Sequence, residues 1–481
     1  MEYIIQGRKP QAVFRYFEEI SAIPRGSYNE AEIAAYLEAF AQERGLECYR
    51  DQVNNVLIKA PATKGMEHCP PLMLQGHTDM VCEKNGDVEH DFTKDPLKLY
   101  LDGKYLRARG TTLGGDNGIA VAIMLALLDG EPAEHPAYEC LFTTAEEVGL
   151  DGAHAFDYSR ISARRMVNLD SEEQGVVTVG CAGGLRSDLT LRYQSVPFKG
   201  ECIRVEIKGL MGGHSGANIH CGRANANKLM GRILSALREK SEICIVSLTG
   251  GSKDNAIPRE CQACLAVLDA ELAMDVITEQ AERIAEELGA DDRGFTVVCQ
   301  TEAEEAVMMP PKQSDDVIAL LCCAANGVLE MSRQVKGLVE FSRNLGVIVH
   351  REGELSMVFS SRSSVENQLD ASTRELDLLA KLTGFEARHY SRYPGWNYAP
   401  VSPLRDRYLE AYKTVTGKDA RIDIIHAGLE CGVISSHLPK MDMISIGPDM
   451  KDIHSPDEAL DLDSVEEFWK VLEALIAASS R

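Results

Sequence analysis

Apolar residues recur at helical spacing near the start of the chain and at strand spacing soon afterwards. Over residues 11–22 they fall on one helical face, and a second apolar face predicts another helix directly after it. Ser27 or Asn29 is expected to cap the start of that second helix. Short apolar runs at residues 55–60 and 72–75 then predict buried strands. The chain therefore begins as an α/β structure.

Three predicted strands end in side chains that can bind metal or move protons. The strand at 72–75 runs into a histidine and an aspartate, the strand at 138–144 into two adjacent glutamates, and the strand at 165–169 into an aspartate. The side chains concerned are His77, Asp79, Glu146, Glu147 and Asp170. Because a sheet gathers its strand ends along one edge, where ligands bind, we expect these groups to lie together.

His77 and Asp79 suggest a metal ligand with its orienting carboxylate. Neutral His77 would give one ring nitrogen to the metal, while Asp79 accepts the proton of the other nitrogen and sets the tautomer. A lone His-x-Asp is a weak signal, since a polar strand end entering a turn is far commoner. Glu146 and Glu147 follow a buried strand, where a charge without a partner is costly. Neighbouring side chains point different ways, so one can bind metal while the other acts on water.

A glycine-rich segment at residues 109–118 delivers Asp116 into an apolar helix at 119–128. No Gly-Lys-Ser/Thr follows, so a phosphate-binding loop is not expected. Asp116 either caps the helix or bridges two metal ions with its two oxygens, and the residues alone leave both readings open. His454 stands on a later loop and is unremarkable by itself.

The pattern of the chain changes near Gly184. From there to about Tyr393, strands alternate with amphipathic helices in two sets of similar length, which suggests a duplicated unit without a residue-level repeat. A glycine-flanked histidine in this region, His214, is either simply part of a turn or a hydrogen-bond donor on a mobile loop. Residues 391–400 are rich in proline, glycine and aromatic residues and are interpreted as a linker back to the first domain.

Composition narrows the class of protein. The 481 residues carry a formal net charge of −24, which argues against nucleic acid and anionic membrane surfaces as partners. No stretch approaches the roughly 20 apolar residues of a membrane span, and no secretory signal is visible. The fourteen scattered cysteines fit a reducing compartment, and the lone CxxC at 261–264 is interpreted as part of a strand. A soluble cytoplasmic protein is expected.

Two imidazoles and three carboxylates make up the candidate ligand set. Its members are His77, Asp116, Glu147, Asp170 and His454. Nitrogen and oxygen ligands without thiolate suit Zn²⁺, with Co²⁺ or Mn²⁺ as alternatives, better than Ca²⁺ or Mg²⁺. Five ligands are too many for one open site, but with Asp116 shared they make two sites of three ligands each. Water between two such ions would have its pKa lowered toward ~7, and Glu146 would move its proton to a leaving amine.

These residues stand in motifs that resemble a known enzyme family. The motifs are GHTDM at 76–80, GDNG at 115–118, EE at 146–147, NLDSE at 168–172 and IHSP at 453–456. They resemble the co-catalytic zinc exopeptidases of the aminoacylase and carboxypeptidase-G type. Further motifs resemble the bacterial cytosolic aminoacyl-histidine dipeptidases within that family, namely GCAGG at 180–184, GGHSG at 212–216 and IHCGRANANK at 219–228. The resemblance runs nearly end to end and implies cleavage of unblocked dipeptides, including carnosine-like Xaa-His substrates.

The resemblance also implies how the ligands are shared between two metal ions. It pairs His77 with Asp170 on one ion and Glu147 with His454 on the other, with Asp116 between them. It also makes Asp79 the orienting carboxylate and Glu146 the general base. Every metal and base position of the family pattern is matched in this chain.

Four residues outside the ligand set receive roles from the resemblance alone. His214 is implied to stabilise the oxyanion of the tetrahedral intermediate, a donor role worth ~10²–10³ in rate. Asn255, Arg362 and Gly428 are assigned to substrate binding. Arg362 would hold the C-terminal carboxylate of the substrate by a two-pronged contact.

The implied fold is a zinc-exopeptidase α/β domain of three layers with a mixed sheet. This catalytic domain is split into residues 1–183 and 394–481, and residues 184–393 are inserted as an α+β lid or dimerisation domain of two similar halves. A cis peptide is implied between Asp116 and Asn117. A homodimer is compatible with this picture but not required, because a doubled lid could supply from one chain the oxyanion histidine that a partner supplies in dimeric relatives.

Two alternatives stay open. A deacylase, tripeptidase or carboxypeptidase of the same fold would use the same metal ligands, so the ligand set does not separate it from a dipeptidase. A metal-binding protein on an inactive peptidase fold is the other alternative. It is disfavoured because Glu146 and all five candidate ligands are present.

Overall fold

The computed structural model describes residues 3–302, 305–333, 335 and 337–479. Their backbone contacts divide them into two compact units. The first unit comprises the described residues up to Cys181, Trp396–Ile424 and those from Leu429 onward, and the second comprises Ala182–Gly395 and Ile425–Gly428. Each unit combines helices with a large sheet, so the predicted α/β class is confirmed.

Eleven α-helices occur in the described part of the chain. They are α1 (Gln11–Ser21), α2 (Ala31–Glu43), α3 (Gly115–Leu128), α4 (Asp151–Ala155), α5 (Ala226–Lys240), α6 (Ala270–Glu287), α7 (Pro311–Cys323), α8 (Glu366–Thr383), α9 (Pro403–Thr416), α10 (Glu430–His437) and α11 (Leu462–Ser479).

The first nine strands in chain order are eight strands of the first unit and the first long strand of the second. They are β1 (Glu47–Arg50), β2 (Val56–Ala60), β3 (Leu72–His77), β4 (Leu99–Asp102), β5 (Tyr105–Ala108), β6 (Tyr138–Thr143), β7 (Arg165–Asn168), β8 (Val176–Cys181) and β9 (Gly183–Arg192).

The remaining strands belong to the second unit up to β21 and to the first unit from β22. They are β10 (Val196–Lys199), β11 (Glu201–Lys208), β12 (Gly213–His214), β13 (Ile243–Gly250), β14 (Ala256–Ile257), β15 (Cys261–Val267), β16 (Thr296–Glu302), β17 (Glu305–Met308), β18 (Gly327–Met331), β19 (Val339–Arg351), β20 (Glu354–Ser363), β21 (Glu386–Tyr393), β22 (Arg421–Ile425), β23 (Asp442–Ser445), β24 (Met450–Lys451) and β25 (Ala459–Asp461).

An eight-stranded sheet forms the centre of the first unit, in the order β1-β2-β6-β3-β7-β23-β8-β22. Strands β6, β3, β7 and β23 are parallel neighbours, whereas β1, β2 and β8 pair antiparallel, so the predicted mixed sheet is confirmed. The central strands are buried on both faces, which explains why they are nearly continuous apolar runs. Helix α3 packs on β3 and is apolar all round, as expected for an enclosed helix.

The second unit has an internal duplication of topology. Its long sheet runs β16-β11-β15-β13-β19-β20-β9-β21, with β18 pairing off this path. Strands β11, β13, β15 and β16 with helices α5 and α6 form one β-α-β-β-α-β half, in strand order 4-1-3-2. Strands β9, β19, β20 and β21 with α7 and α8 form a second half of the same order. The halves meet antiparallel through β13 and β19. Two similar halves were predicted, and both are present.

The core of the second unit lies between this sheet and its helices. Apolar residues that alternate along β11, β13 and β15 face one way and pack against α5, α6 and α7. The CxxC at 261–264 lies within β15, as the sequence interpretation had it. On the opposite face of the sheet, Cys202, Cys244 and Cys264 form a small separate cluster.

The boundaries between the units differ slightly from the sequence-based ones. The first break falls after Cys181, and the short segment Ile425–Gly428 belongs to the second unit although it lies within the range predicted for the first. Hydrogen bonds explain this assignment, since the Ala182 amide donates to the Ile425 carbonyl and His426 bonds to Ser342.

The predicted cap of α2 is wrong. Glu30 occupies the N-cap position and makes no capping hydrogen bond from its side chain. Ser27 is instead turned away from the helix, and its hydroxyl donates to Asp79 Oδ2 at 2.8 Å. Among the described residues, no helix combines the length and apolarity that crossing a membrane requires.

Candidate active site

The ends of three parallel strands bring the candidate residues together. β3 ends at His77, β6 leads into Glu146 and Glu147, and β7 leads into Asp170. Because β6, β3 and β7 are adjacent and parallel, their carboxyl ends share one edge of the sheet. The expectation drawn from the strand ends therefore matches the geometry of the first unit.

Asp116 lies between two histidines. Its Oδ1 is 3.1 Å from His77 Nε2, and its Oδ2 is 3.1 Å from His454 Nε2. His77 Nε2 also lies 3.4 Å from Asp170 Oδ1, and His454 Nε2 lies 3.1 Å from Glu147 Oε1. All five predicted ligands thus form one chain of contacts, with Asp116 at its centre. The Asp116–Asn117 peptide bond is cis, as the resemblance implied.

Three groups of side chains have ligand atoms within 4.8 Å of one another and could each hold a metal ion. One group is His77, Asp116 and Asp170, and another is Asp116, Glu147 and His454. These two groups share only Asp116, which is the division predicted from the family resemblance. The third group combines His77 with Glu146 and Glu147.

Asp79 is a fully buried carboxylate behind His77. Its Oδ1 lies 3.3 Å from His77 Nδ1, and the Asp79 carbonyl lies 3.1 Å from the same nitrogen. The same carboxylate accepts the backbone amides of Glu146 and Glu147, at 3.1 and 3.3 Å. Asp79 therefore orients an imidazole and also holds the turn that carries both glutamates.

Glu146 lies beside the ligands, but it belongs to neither of the two groups that share Asp116. Its Oε2 is 4.0 Å from His77 Nε2. The preceding residue, Ala145, has a left-handed φ of 49°, so the chain turns sharply where β6 ends. Burial raises the pKa of Glu146 well above its ordinary value, and the carboxylates of Asp170 and Glu430 add to the effect of burial.

The donor set fits divalent cations. It holds imidazole nitrogens and carboxylate oxygens without a thiolate, the combination that suits zinc, cobalt or manganese. Burial raises the pKa of Asp170 to about 6, and the negative charges of Asp116 and Glu147 oppose its ionisation further, although His77 acts in the other direction. Crowded carboxylates of this kind are stabilised in their charged form by a bound cation.

A belt of buried polar side chains lies one residue layer beneath the ligands. Gln75 donates to Glu430 at 2.5 Å and accepts from Asn168 at 2.6 Å. Asn168 in turn accepts from Ser445 at 2.5 Å and from the backbone amide of Asp170 at 3.2 Å. The belt crosses from β3 to β23 and holds the strand ends in register. Sequence reasoning missed it, although polar residues inside apolar strands were a visible signal.

His214 lies in the second unit, on the two-residue strand β12 that pairs with β14. Its Nδ1 accepts the backbone amides of Gly216 at 3.2 Å and Ala217 at 2.9 Å. Nδ1 is therefore the acceptor and Nε2 carries the proton of the neutral ring. Burial lowers the pKa of His214, and the nearby charge of Arg362 lowers it further, so the ring is a neutral donor.

Arg362 lies on β20, close to His214. Its Nη1 donates to the Tyr393 hydroxyl at 2.8 Å, and its buried Nε has no hydrogen-bond partner in the described structure. A Cβ added at Gly216 would clash with the His426 carbonyl and would also lie 3.1 Å from His214 and 3.3 Å from Arg362, so only glycine fits there. A buried guanidinium with a free N–H is a ready partner for a carboxylate.

The remaining predicted substrate residues, Asn255 and Gly428, also lie in the second unit. The Asn255 carbonyl accepts the Ser215 amide at 2.8 Å, and its side chain is exposed. Asn344, a buried residue that sequence reasoning missed, donates to both carbonyls flanking Asn255, those of Asp254 and Ala256. Gly428 packs on Tyr393, because an added Cβ would meet that ring at 2.9 Å.

Comparisons with known proteins identify the relatives of this chain. Residues 73–478 match the model of peptidase family M20/M25/M40. The chain is 40% identical over 471 residues to the cytosol non-specific dipeptidase of Escherichia coli (strain K12), covering 97% of each protein. Its structure matches that of the aminoacylhistidine dipeptidase from Vibrio alginolyticus with a TM-score of 0.92 and 37% identity, covering 98% of this chain and 97% of that one.

More distant structures share the fold alone. An aminopeptidase from Bacillus cereus has a TM-score of 0.57 at 16% identity, covering 98% of this chain and 100% of that one. The predicted resemblance to zinc exopeptidases is confirmed by the family match over most of the chain. The chain therefore belongs to peptidase family M20/M25/M40.

Proposed function

We propose that the chain hydrolyses the peptide bond of unblocked dipeptides, with carnosine-like Xaa-His dipeptides among its substrates. Two divalent cations held by the first unit would take part, and zinc suits the donor set best, with cobalt or manganese as alternatives. Membership of the peptidase family and the two dipeptidases with high identity support this proposal.

The position of Asp116 is the observation that carries the proposal. Its two oxygens face His77 and His454 at the same distance, 3.1 Å, so one carboxylate can serve two ions. Asp170 would complete the first set of ligands and Glu147 the second. Bound there, the two cations would lower the pKa of an attacking water and polarise the carbonyl of the scissile bond.

Glu146 is the general base in this proposal. It takes a proton from the attacking water, retains it because burial favours its protonated form, and delivers it to the leaving amine. Asp79 supports this by fixing the amide of Glu146 and the ring of His77 with the same carboxylate. The proton thus stays on one side chain between the two steps.

The second unit contributes recognition and oxyanion stabilisation. His214 donates from Nε2 to the oxygen on which negative charge develops, since its Nδ1 is occupied by two backbone amides. Arg362 binds the C-terminal carboxylate of the substrate, with Asn255 and Gly428 shaping the same subsite. A cytoplasmic location and an optional homodimer complete the proposal. The location is supported by the name of the E. coli relative.

A substrate panel tests the proposal against deacylase, tripeptidase and carboxypeptidase activities. We expect rapid hydrolysis of β-Ala-His and Leu-Leu, and little or none of a tripeptide and an N-acetyl amino acid. Turnover of the N-acetyl amino acid alone would contradict the dipeptidase assignment. Absence of turnover on every substrate by metal-loaded protein would favour an inactive metal-binding protein.

A further inference from the structure

Glu458 is a buried carboxylate that no step above uses. Only 3% of the residue is exposed, and both of its oxygens are occupied by the backbone of one loop. Its Oε2 accepts the amides of Leu113 at 2.7 Å and Gly114 at 3.0 Å. Its Oε1 accepts the amides of Gly115 at 2.8 Å and Asp116 at 3.3 Å. One side chain thus binds four consecutive amides that end at the central carboxylate of the site.

The loop that Glu458 binds has a conformation that needs outside support. Gly114 has a left-handed φ of 66°, and the backbone dihedrals of Asp116 and Asn117 depart from those of the helix they enter. Its four amides point toward one place, a concave arrangement that binds anions. Without Glu458, these donors would be buried with no acceptor, which is unfavourable.

Arg25 holds the same loop from its carbonyl side. The guanidinium is fully buried, and it donates to the Gly114 carbonyl at 2.5 Å and to the Thr78 carbonyl at 3.0 Å. Arg25 therefore joins the loop before Asp116 to the turn after His77. Glu458 joins the loop before Asp116 to a third segment, the loop that carries His454. Glu458 follows His454 by four residues in that loop.

We propose that Glu458 is a positioning residue for the metal centre. It holds Asp116 so that the two carboxylate oxygens face His77 and His454 at once, and it ties the loop of His454 to the loop of Asp116. It does not contact the cations itself. This inference rests on the metal site proposed above, and it adds a residue outside the ligand set on which the affinity of that site depends.

Glu139 provides a matched control for Glu458. It is also 3% exposed, and its carboxylate also accepts backbone amides, those of Ser162 and Ala163 at 3.0–3.1 Å. It stands at the start of β6, whereas Glu146 follows the end of the same strand. Replacing either glutamate by glutamine turns one oxygen that accepts backbone amides into a donor, and Glu139 also loses its ion pair with Lys59, so a general loss of stability would affect Glu139→Gln at least as much.

Titration of metal-depleted protein with Co²⁺, followed by its visible absorption and by equilibrium dialysis, tests the proposal. We expect Glu458→Gln to bind Co²⁺ about 10- to 100-fold more weakly than wild type, the range found for groups that orient metal ligands. Glu139→Gln should bind as wild type does. Unchanged affinity in Glu458→Gln, or an equal loss in Glu139→Gln, would overturn the proposal.

Two further outcomes are decided by additional measurements. If Glu458→Gln does not fold, Glu458→Asp takes its place, because it keeps the charge but cannot reach all four amides. Weaker Co²⁺ binding by Glu458→Asp supports the proposal, and wild-type binding overturns it. If wild-type protein itself binds no Co²⁺, the proposed metal site fails. If wild type and Glu458→Gln bind equally, only the positioning role fails.

Discussion

The candidate site residues of the first unit are acids and imidazoles in contact with one another, whereas His214 and Arg362 of the second unit contact backbone or neutral groups. In the first unit, His77 and His454 each lie 3.1 Å from the shared carboxylate of Asp116. In the second, His214 accepts backbone amides and Arg362 donates to a tyrosine. In the proposed function, a cation would complete the first set and an anion the second.

This difference indicates how the two units divide the work. Crowded carboxylates oppose one another's ionisation, and a bound cation would relieve this, which supports the metal site proposed for the first unit. The free Nε of Arg362 and the neutral ring of His214 offer N–H donors and carry no negative charge. A dipeptide presents a carboxylate and a developing oxyanion, which are the two negative groups that such donors bind.

The largest effect of a substitution is expected at Glu146, in the first unit. Glu146→Gln keeps the shape of the side chain but cannot accept a proton, so kcat should fall by about 10²–10⁴-fold with metal content unchanged. The control variant is Glu173→Gln, which changes an exposed glutamate close to Asp170 in the sequence and should retain full activity. Steady-state kinetics with elemental analysis would measure both. A kcat within a few-fold of wild type would contradict the assignment of the base.

A smaller effect is expected at His214, in the second unit. His214→Ala removes one neutral donor to the oxyanion, so kcat should fall by ~10²–10³-fold while metal content stays constant. His220→Ala, at an exposed histidine on the adjoining loop, is the control and should behave as wild type. Loss of metal in His214→Ala would contradict the assignment of metal binding to the first unit alone. An unchanged kcat would show that His214 does not stabilise the oxyanion.

Arg362 should affect binding more than chemistry. Arg362→Lys keeps the positive charge but loses the planar fork, so KM for dipeptides should rise by roughly 10- to 100-fold, the loss of one or two charge-assisted hydrogen bonds. Arg192→Lys, at an exposed arginine on β9, should leave KM unchanged. An unchanged KM in Arg362→Lys, measured alongside that control, would show that the carboxylate is bound elsewhere.

The smallest effect is the pH dependence that His426 gives to stability. Burial lowers the pKa of His426 to about 3, and the charge of Arg362 adds to the effect. The unfolded chain, with an ordinary histidine pKa near ~6.5, binds more protons between these values. The stabilisation is therefore complete above about pH 6.5 and is lost as pH falls toward 3.

His426→Gln should remove this pH dependence. Urea unfolding at pH 7 and pH 5 should show a decrease in unfolding free energy that is smaller by about 2 kcal/mol in the variant than in wild type. His220→Gln, at an exposed position, should follow wild type. Equal decreases in His426→Gln and wild type would show that His426 is protonated in the folded protein at pH 5.

Much of the first unit could be predicted from the sequence, because its ligands follow directly from strand ends. Apolar runs marked β3, β6 and β7, and the ends of parallel strands meet at one edge. Apart from Asp79, the residues that hold the ligand-bearing loops were not predicted. Glu458 and Arg25 act on backbone groups far away in sequence, and nothing in their neighbours indicates those contacts.

The second unit was less predictable than the first. Its two halves could be expected from the lengths of the element sets, but their shared strand order of 4-1-3-2 depends on long-range pairing. His214 and Arg362 are 148 positions apart, and only the family resemblance joined them. Ser27 was expected to cap a helix, so its hydrogen bond to Asp79 was missed. Asn344 was not distinguished from other strand residues, so its hydrogen bond to the Ala256 carbonyl was missed as well.

Metal content per chain, measured beside dipeptidase activity before and after chelation, tests the central claim most directly. We expect about two divalent ions per chain, loss of activity when they are removed, and recovery when zinc, cobalt or manganese is returned. Protein that hydrolyses β-Ala-His at the same rate without stoichiometric metal would contradict the account.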